Sequence, residues 1–363
     1  MIMPEDGPEV LVSALKSAKK SIEIAIFRFD RDDIEKTLRA AVGRGIRVTA
    51  LVADINRGGE RNLRQLESRF LEAGITVART ADDLTRYHDK YFIIDRRVLY
   101  MLSFNFTHLD MEHSRGFGIV TENATLVQEA VQLFEADCVR RPYTADRDTF
   151  VVSPANSRKV LRDFLKRAKK QLLIYDPQIS DREMIRILQE RQKAGVEIRI
   201  IGKVSERTGV TAQKLTRMRL HARTIIRDGH QAFVGSQSLR PAELDSRREL
   251  GLIVREPKIV KRLQERFEFD WTTTNAAAPT EDSKTESLPE ADKKDTELAL
   301  AVLVQELHPL SDTVKKAVKK VAIHTGGDLL PDKIVKSTVK KVVKKAVKQA
   351  VRAMARDAQK ARG

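Results

Sequence analysis

Cysteine occurs once in the 363 residues of this chain. Cys138 therefore has no partner for an intramolecular disulfide, and with neither a C-x-x-C nor an H-E-x-x-H pattern present there is no sequence signature of a zinc centre. Its expected role is that of a small buried hydrophobe. Long apolar runs are also missing. No stretch approaches the roughly 20 uninterrupted apolar residues of a membrane-spanning helix, and Met1 to Val10 carries acids and proline where a secretory signal would carry an apolar core. A cytoplasmic protein is expected. Aromatic residues make up 5% of the chain, few for a surface built to hold acyl chains.

What is abundant is charge, at 33% of residues with a net charge of +16. That balance favours anionic partners: phosphate esters, nucleic acid or an anionic membrane surface. Hydrophobic residues at 41% suffice for real cores, and the length suits two domains and a tail.

The chain repeats itself. Ala18-Lys19-Lys20-Ser21-Ile22-Glu23-Ile24 matches Ala168-Lys169-Lys170-Gln171-Leu172-Leu173-Ile174, and Gly45-Ile46-Arg47-Val48 matches Gly195-Val196-Glu197-Ile198. Each glycine ends a helix and opens a strand. Leu63, Leu66, Phe70 and Leu71 are spaced to share one helix face. Each half thus reads as helices alternating with apolar strands up to a motif strand, then a closing helix. The second half is shorter between its Gly195 strand and its motif. Such alternation predicts parallel or mixed sheets covered by helices, an α/β class. The halves occupy 1–139 and 148–272, joined through Arg140-Arg141-Pro142-Tyr143. Residues 273–297 read as a disordered linker, and 298–363 as a basic amphipathic helical tail. There Val314, Ala317, Val318 and Val321, then Val335, Val339, Val342, Ala346, Ala350 and Met354, line one face. The lysines from Lys336 to Lys348 suit anionic lipid or nucleic-acid phosphates.

Within the repeat one pattern is written twice. His88, Lys90 and Asp95 spell H-x-K-x-x-x-x-D; His221, Arg223 and Asp228 spell the same frame with arginine for lysine. Ser103 and Ser236 follow at matched distance. Two histidines in matched settings suit phosphodiester chemistry, one imidazole attacking phosphorus and the other protonating the leaving oxygen. Lys90 and Arg223 can neutralise the non-bridging oxygens, and Ser103, Asn105, Ser236 and Ser238 can donate to them. A histidine nucleophile needs its second nitrogen oriented, and Glu249 is the natural candidate to orient His221. Asp95 and Asp228 complete the frame and suit a strand-to-turn role. No metal or cofactor is required. His108, His113, His230, His308 and His324 are expected to be ordinary surface or core residues. The Arg57-Gly58-Gly59 loop, Arg86 and Tyr87 are candidates to face the site.

The doubled frame resembles the phospholipase D superfamily, over about Pro8 to Trp271. In that family the motif is followed by Gly-Ser-x-Asn and then a glutamate. The first half offers Leu102-Ser103-Phe104-Asn105, with Gly116 where the glutamate falls; Glu112 or His113 could stand in for it. The second offers Gly235-Ser236-Gln237-Ser238, with Glu249 in place. The resemblance implies two tandem phospholipase D-like α/β/α domains with mixed sheets packed face to face, and one site at their junction. It also implies a phosphohistidine intermediate, with His88 as nucleophile and His221 as general acid, whereas the Glu249 argument favours His221 as nucleophile. The expected function is a metal-independent phosphodiesterase or phosphatidyltransferase acting on phospholipids, similar to cardiolipin synthase-like proteins. A nuclease of the same superfamily and a non-catalytic phosphate-ester-binding protein are the alternatives. Charge, few aromatics and polar loops such as Val204-Ser205-Glu206-Arg207 and Thr107-His108-Leu109-Asp110 favour the nuclease. If the tail meets anionic lipid, the protein would sit peripherally at the inner membrane surface.

Overall fold

A computed structural model describes residues 1–54, 60–205, 210 and 212–276. The Arg57-Gly58-Gly59 loop, Glu206 and Arg207, His308 and His324, residues 277–297 and the basic tail with Lys336 to Lys348 lie outside the described residues. Contacts divide the chain into Met1–Pro279 and Thr280–Gly363, and every described residue belongs to the first unit.

Its first half runs β1 (Ile2–Met3), α1 (Glu9–Lys16), β2 (Ser21–Ile26), α2 (Asp32–Gly43), β3 (Arg47–Val52), α3 (Glu60–Glu72), β4 (Thr76–Arg79), β5 (Arg86–Tyr87), β6 (Tyr91–Ile94), β7 (Val98–Leu102), α4 (His108–Glu112), β8 (Ser114–Thr121) and α5 (Ala124–Cys138). The second runs β9 (Phe150–Ser153), α6 (Ser157–Lys166), β10 (Gln171–Ile179), α7 (Arg182–Lys193), β11 (Glu197–Val204), β12 (Ala212–Gln213), β13 (Arg219–Leu220), β14 (Arg223–Arg227), β15 (Gln231–Gly235), α8 (Pro241–Asp245), β16 (Arg247–Val254) and α9 (Pro257–Ala276). Among the described residues the second half has no counterpart of α3, where the sequence is shorter between the Gly195 strand and the motif. Helix α9 runs on to Ala276, four residues past the expected end of the second half at 272.

The fold class is as expected. Each sheet is mixed and eight-stranded, in the orders β1-β8-β7-β6-β2-β3-β4 and β12-β11-β10-β14-β15-β16-β5, with β13 joined to β8 and β9 to β16. The strand β2 shows why. All six of its residues are buried, as a strand must be when helices cover one face and a second sheet the other. On the outer face of the first sheet, Ile34, Leu38 and Ala41 of α2 and Leu63, Leu66 and Phe70 of α3 pack on Ile22, Ile24 and Ile26. Leu71 departs from its expected place and is 59% exposed, because it lies about 100° around the helix from Phe70. Between the sheets, Tyr91, Met101 and Phe117 meet Tyr175, Val234 and Leu252, closed by Phe134 of α5 and Phe267 of α9. Truncating a fully buried leucine such as Leu252 to alanine costs about 2–5 kcal/mol.

The two motif histidines stand 133 residues apart, and at that offset the halves correspond residue for residue from β5 to α9. Arg115 matches Arg248, and Asp137 matches Asp270. Both pairs become buried bridges across the junction: Arg115 Nε donates to Asp270 (2.7 Å), and Arg248 donates to Asp137 (2.9 Å). Each ties a strand of one half to the closing helix of the other.

Candidate active site at the junction of the halves

The short strands β5 and β13 decide where the motifs go. Neither pairs with its own sheet. The first runs parallel to the start of β16, Arg86 opposite Arg247, and the second parallel to the start of β8, Arg219 opposite Ser114. The exchange delivers each histidine to the other half: His88 N donates to Arg248 O (2.8 Å) and His221 N to Arg115 O (3.0 Å). Both side chains are buried.

His88 meets Glu249 there. Its Nδ1 lies 2.8 and 3.0 Å from the two carboxylate oxygens. A carboxylate accepts, so Nδ1 carries the proton and Nε2 keeps its lone pair. The expected pairing of Glu249 with His221 is therefore corrected: the strand exchange places it on His88. Glu249 is fully buried, which raises its pKa, while Lys90, a hydrogen bond from Ser236 and Arg223 oppose that rise. Burial likewise holds the His88 imidazole well below its ordinary pKa, helped by Lys90 and Arg223. At neutral pH it is uncharged.

The two cations take equivalent positions. Lys90 Nζ donates to His88 O, and Arg223 Nη1 to His221 O (2.7 Å). Burial pulls the Lys90 ammonium down to about 7, against the opposing charge of Glu249. Arg223 also bonds Ser238 Oγ (3.3 Å) and lies 3.9 Å from Glu243. Phe27 closes one side, its ring edge-on to His88 at 4.5 Å between centroids, with Arg86 and Lys90 against it.

Near His221 stands a residue that the sequence motifs do not single out. Asp110, from α4, is buried, and its Oδ2 lies 3.2 Å from His221 Nδ1, within ion-pair reach but off the line of a hydrogen bond. Glu112 and His113 do not fill that role. Glu112 pairs with Arg31 and His108, and His113 is exposed. Burial and the neighbouring cations Arg223, Lys90 and Arg219 lower the His221 pKa well below its ordinary value.

The remaining motif residues separate by geometry. Ser103 Oγ accepts from Phe117 N (2.9 Å) and Ser236 Oγ from Leu250 N (3.1 Å), each stitching adjacent strands. Asn105 Nδ2 donates to Asp110 (2.6 Å), while its Oδ1 is buried without a partner. Asp95 and Asp228 lie at the far ends of β6 and β14 from the histidines. Asp95 accepts from the main chain of Lys19, Lys20 and Ser21, and Asp228 from that of Lys169, Lys170 and Gln171. Both sit in the left-handed region, at φ 53°, in mirror-type hairpin turns that aspartate tolerates. Their expected structural role is thus a matter of strand anchoring, not contact with the reacting groups. Among the described residues, no group of three or more His, Cys, Asp or Glu side chains could hold a metal ion.

The family whose description is "Cardiolipin synthase, PLD-like domain" matches residues 11–138 and 161–271, about two thirds of the chain. The chain belongs to the phospholipase D superfamily. Over 129 residues it is 28% identical to the mitochondrial cardiolipin hydrolase of Mus musculus, covering 34% of this chain and 55% of that one. It is 29% identical to the Homo sapiens protein of that name, covering 34% and 48%. The chain thus spans about half the length of the curated relatives it matches. Among solved structures, polyphosphate kinase from Porphyromonas gingivalis superposes with a TM-score of 0.64 at 19% identity, over 75% of this chain and 50% of that one. Phosphatidylserine synthase from Haemophilus influenzae does so at 0.57 and 12%, over 84% and 94%. At those identities the likeness is one of fold. In this phospholipase D-like chain the doubled pattern departs from the family's at Arg223 and Gly116, both at the junction, and at Leu102 and Ser238 in the two segments that follow the motifs. No helix among the described residues is long and apolar enough to cross a membrane.

Proposed function

We propose that the chain is a phosphodiesterase or phosphatidyltransferase acting on phospholipids through a phosphohistidine on His88. The observation that carries this reading is the Glu249–His88 contact. It fixes the imidazole as the Nδ1–H tautomer with Nε2 free, inside a ring of cations supplied by both halves. His88 Nε2 attacks phosphorus, and the P–O bond to the departing alcohol breaks. His221, which takes up a proton as the anionic phosphodiester enters the site and offsets the surrounding cations, gives that oxygen its proton. Water or an acceptor alcohol then returns a proton to His221 as it attacks the phosphohistidine, releasing the phosphoryl group and restoring both rings. Lys90 and Arg223 offset the charge on the non-bridging oxygens. The choice of phospholipid draws on the curated relatives, which are named cardiolipin hydrolases.

A nuclease reading is favoured by different observations, the exposed Arg28 and Arg219 near the two histidines and the net charge of +16. One experiment separates the two. Purified protein and His88→Ala are incubated in chelator with cardiolipin or phosphatidylglycerol vesicles and, in parallel, with labelled single-stranded DNA. Turnover of lipid that is lost in the variant, with an acid-labile phosphoenzyme trapped on the wild type, is the expected result. Cleavage of DNA alone would assign the nuclease, and product from neither substrate would leave a protein that binds phosphate esters without cutting them.

A further inference from the structure

We infer that Asp110 is the positioning residue of His221, replacing from α4 the carboxylate missing at Gly116; the inference rests on the two-histidine reading above. The missing acid cannot be restored in place. A Cβ built on Gly116 would come within 2.8 Å of Phe104 Cδ1 and 3.1 Å of Phe104 Cβ, and the Phe104 ring is fully buried in the outer core of the first sheet. The strand position that carries Glu249 in the second half is therefore filled by an aromatic ring in the first.

Asp110 supplies the charge from a different element. Thr107 Oγ1 caps α4 by accepting from Asp110 N (3.3 Å), which fixes the start of that turn. The carboxylate is then held at both ends. Oδ2 accepts from Asn105 N (2.8 Å) and Asn105 Nδ2 (2.6 Å), and Oδ1 accepts from Arg219. Arg219 belongs to β13, two residues before His221. The exchange that brings the histidine across the junction thus also brings a cation against its acid. His221 Nδ1 is buried with no hydrogen bond of good geometry, and Asp110 Oδ2 lies 3.2 Å from it. Catalytic hydrogen bonds commonly stand open without substrate and tighten when it binds.

The repeat supports this assignment. At the 133-residue offset Asp110 corresponds to Glu243. Glu243 accepts from Ser238 N (2.7 Å), pairs with Arg247 (3.1 Å) and lies 3.9 Å from Arg223 Nε. Both halves keep an acid at this place. In the second, the longer side chain faces the arginine that replaced lysine; in the first, the shorter one faces the imidazole that lost its glutamate.

The test is Asp110→Asn, with Asp110→Glu as the conservative variant, read in two ways. The first is leaving-group dependence. An alkyl phosphodiester needs a proton from His221, whereas a p-nitrophenyl ester departs without one. Asp110→Asn should lower kcat on the alkyl ester by about a hundredfold or more, leave the p-nitrophenol burst near wild type, and be partly rescued by glutamate. Equal loss on both esters would mean a merely structural residue and overturn the inference. The second readout needs no turnover: the ¹⁵N shifts of His221, assigned with His221→Gln and followed against pH, report the proton that Asp110 holds on Nδ1, in the neutral ring and in the imidazolium that serves as acid, and its loss in Asp110→Asn. Unchanged shifts overturn the inference. If wild-type protein cleaves neither ester, the functional reading fails, and the shifts alone decide the role of Asp110.

Discussion

The main-chain N–H of His88 donates to the carbonyl of Arg248 at 2.8 Å, so the backbone of one motif is set in register by the residue just before its own orienting carboxylate. Strand pairing and side-chain orientation are one structural event. The site cannot be assembled by either half alone, because Glu249 is supplied by the second half and His88 by the first.

Glu249→Gln tests that dependence. Glutamine preserves shape but can offer its amide N–H to Nδ1, which reverses the tautomer and removes the counter-charge. A fall in kcat of about 10²–10⁴ is expected, by analogy with the loss when a catalytic histidine's carboxylate partner is neutralised. Because burial already raises the Glu249 pKa, the melting temperature should change little. A variant that loses stability in step with activity would show Glu249 to be a packing residue.

The Lys90 ammonium titrates at about 7, which makes phosphate binding depend on pH. Below that value the group is charged and ready for a phosphate oxygen. Above it, binding must draw in a proton, so affinity for a dialkyl phosphate, whose own charge is fixed in this range, should fall with rising pH, by at most about tenfold per unit. Titration calorimetry in two buffers of different ionisation enthalpy measures the proton uptake directly. Lys90→Arg, charged throughout, should flatten the profile; a flat profile in the wild type would remove Lys90 from phosphate binding.

The doubled motif, the α/β class and the mixed sheets were legible in the sequence, because they rest on long periodic segments and on a repeat. The partner of each histidine was not. It is set by β5 and β13, two residues each, too short to carry a pattern, and Glu249 was assigned to the wrong imidazole for that reason. Asp110 was missed because it stands in a five-residue helix within a polar loop. A signal was present nonetheless. Asp110 and Glu243, Arg115 and Arg248, Asp137 and Asp270 recur at the spacing of the histidines, and aligning the halves residue by residue would have drawn out all three pairs.

Behind His88, Arg248 faces two buried carboxyls, Asp89 and Asp137, each with one oxygen unpartnered. Burial raises both pKa values and Arg248 opposes the rise in each; Glu249 adds to that of Asp89, and Asp89 to that of Asp137. The folded state thus holds protons that the unfolded chain releases at lower pH. This contribution to stability is fully present below the ordinary carboxylate range and is lost as pH rises through the elevated folded values. Asp89→Asn should therefore raise the melting temperature at pH 8 by more than at pH 5. An equal shift at both would show that the pair does not share this proton.

Arg115 is the matching bridge on the other side of the junction, and its partners are complete: Asp270 through Nε and Nη2, Glu5, and the carbonyl of Met3. Its side chain is fully buried and Asp270 nearly so. Arg115→Ala would take the bridging guanidinium away from buried Asp270, which Tyr175 OH also contacts (2.8 Å), at a cost of about 3–5 kcal/mol. Replacing both members at once, Arg115→Met with Asp270→Leu, removes the uncompensated charge as well as the bridge and should recover much of that loss. Chemical denaturation of the single and double variants measures the coupling. A double variant as unstable as the sum of its singles would mean that the bridge contributes by shape alone, and the two halves would then owe their alignment to the apolar core between the sheets.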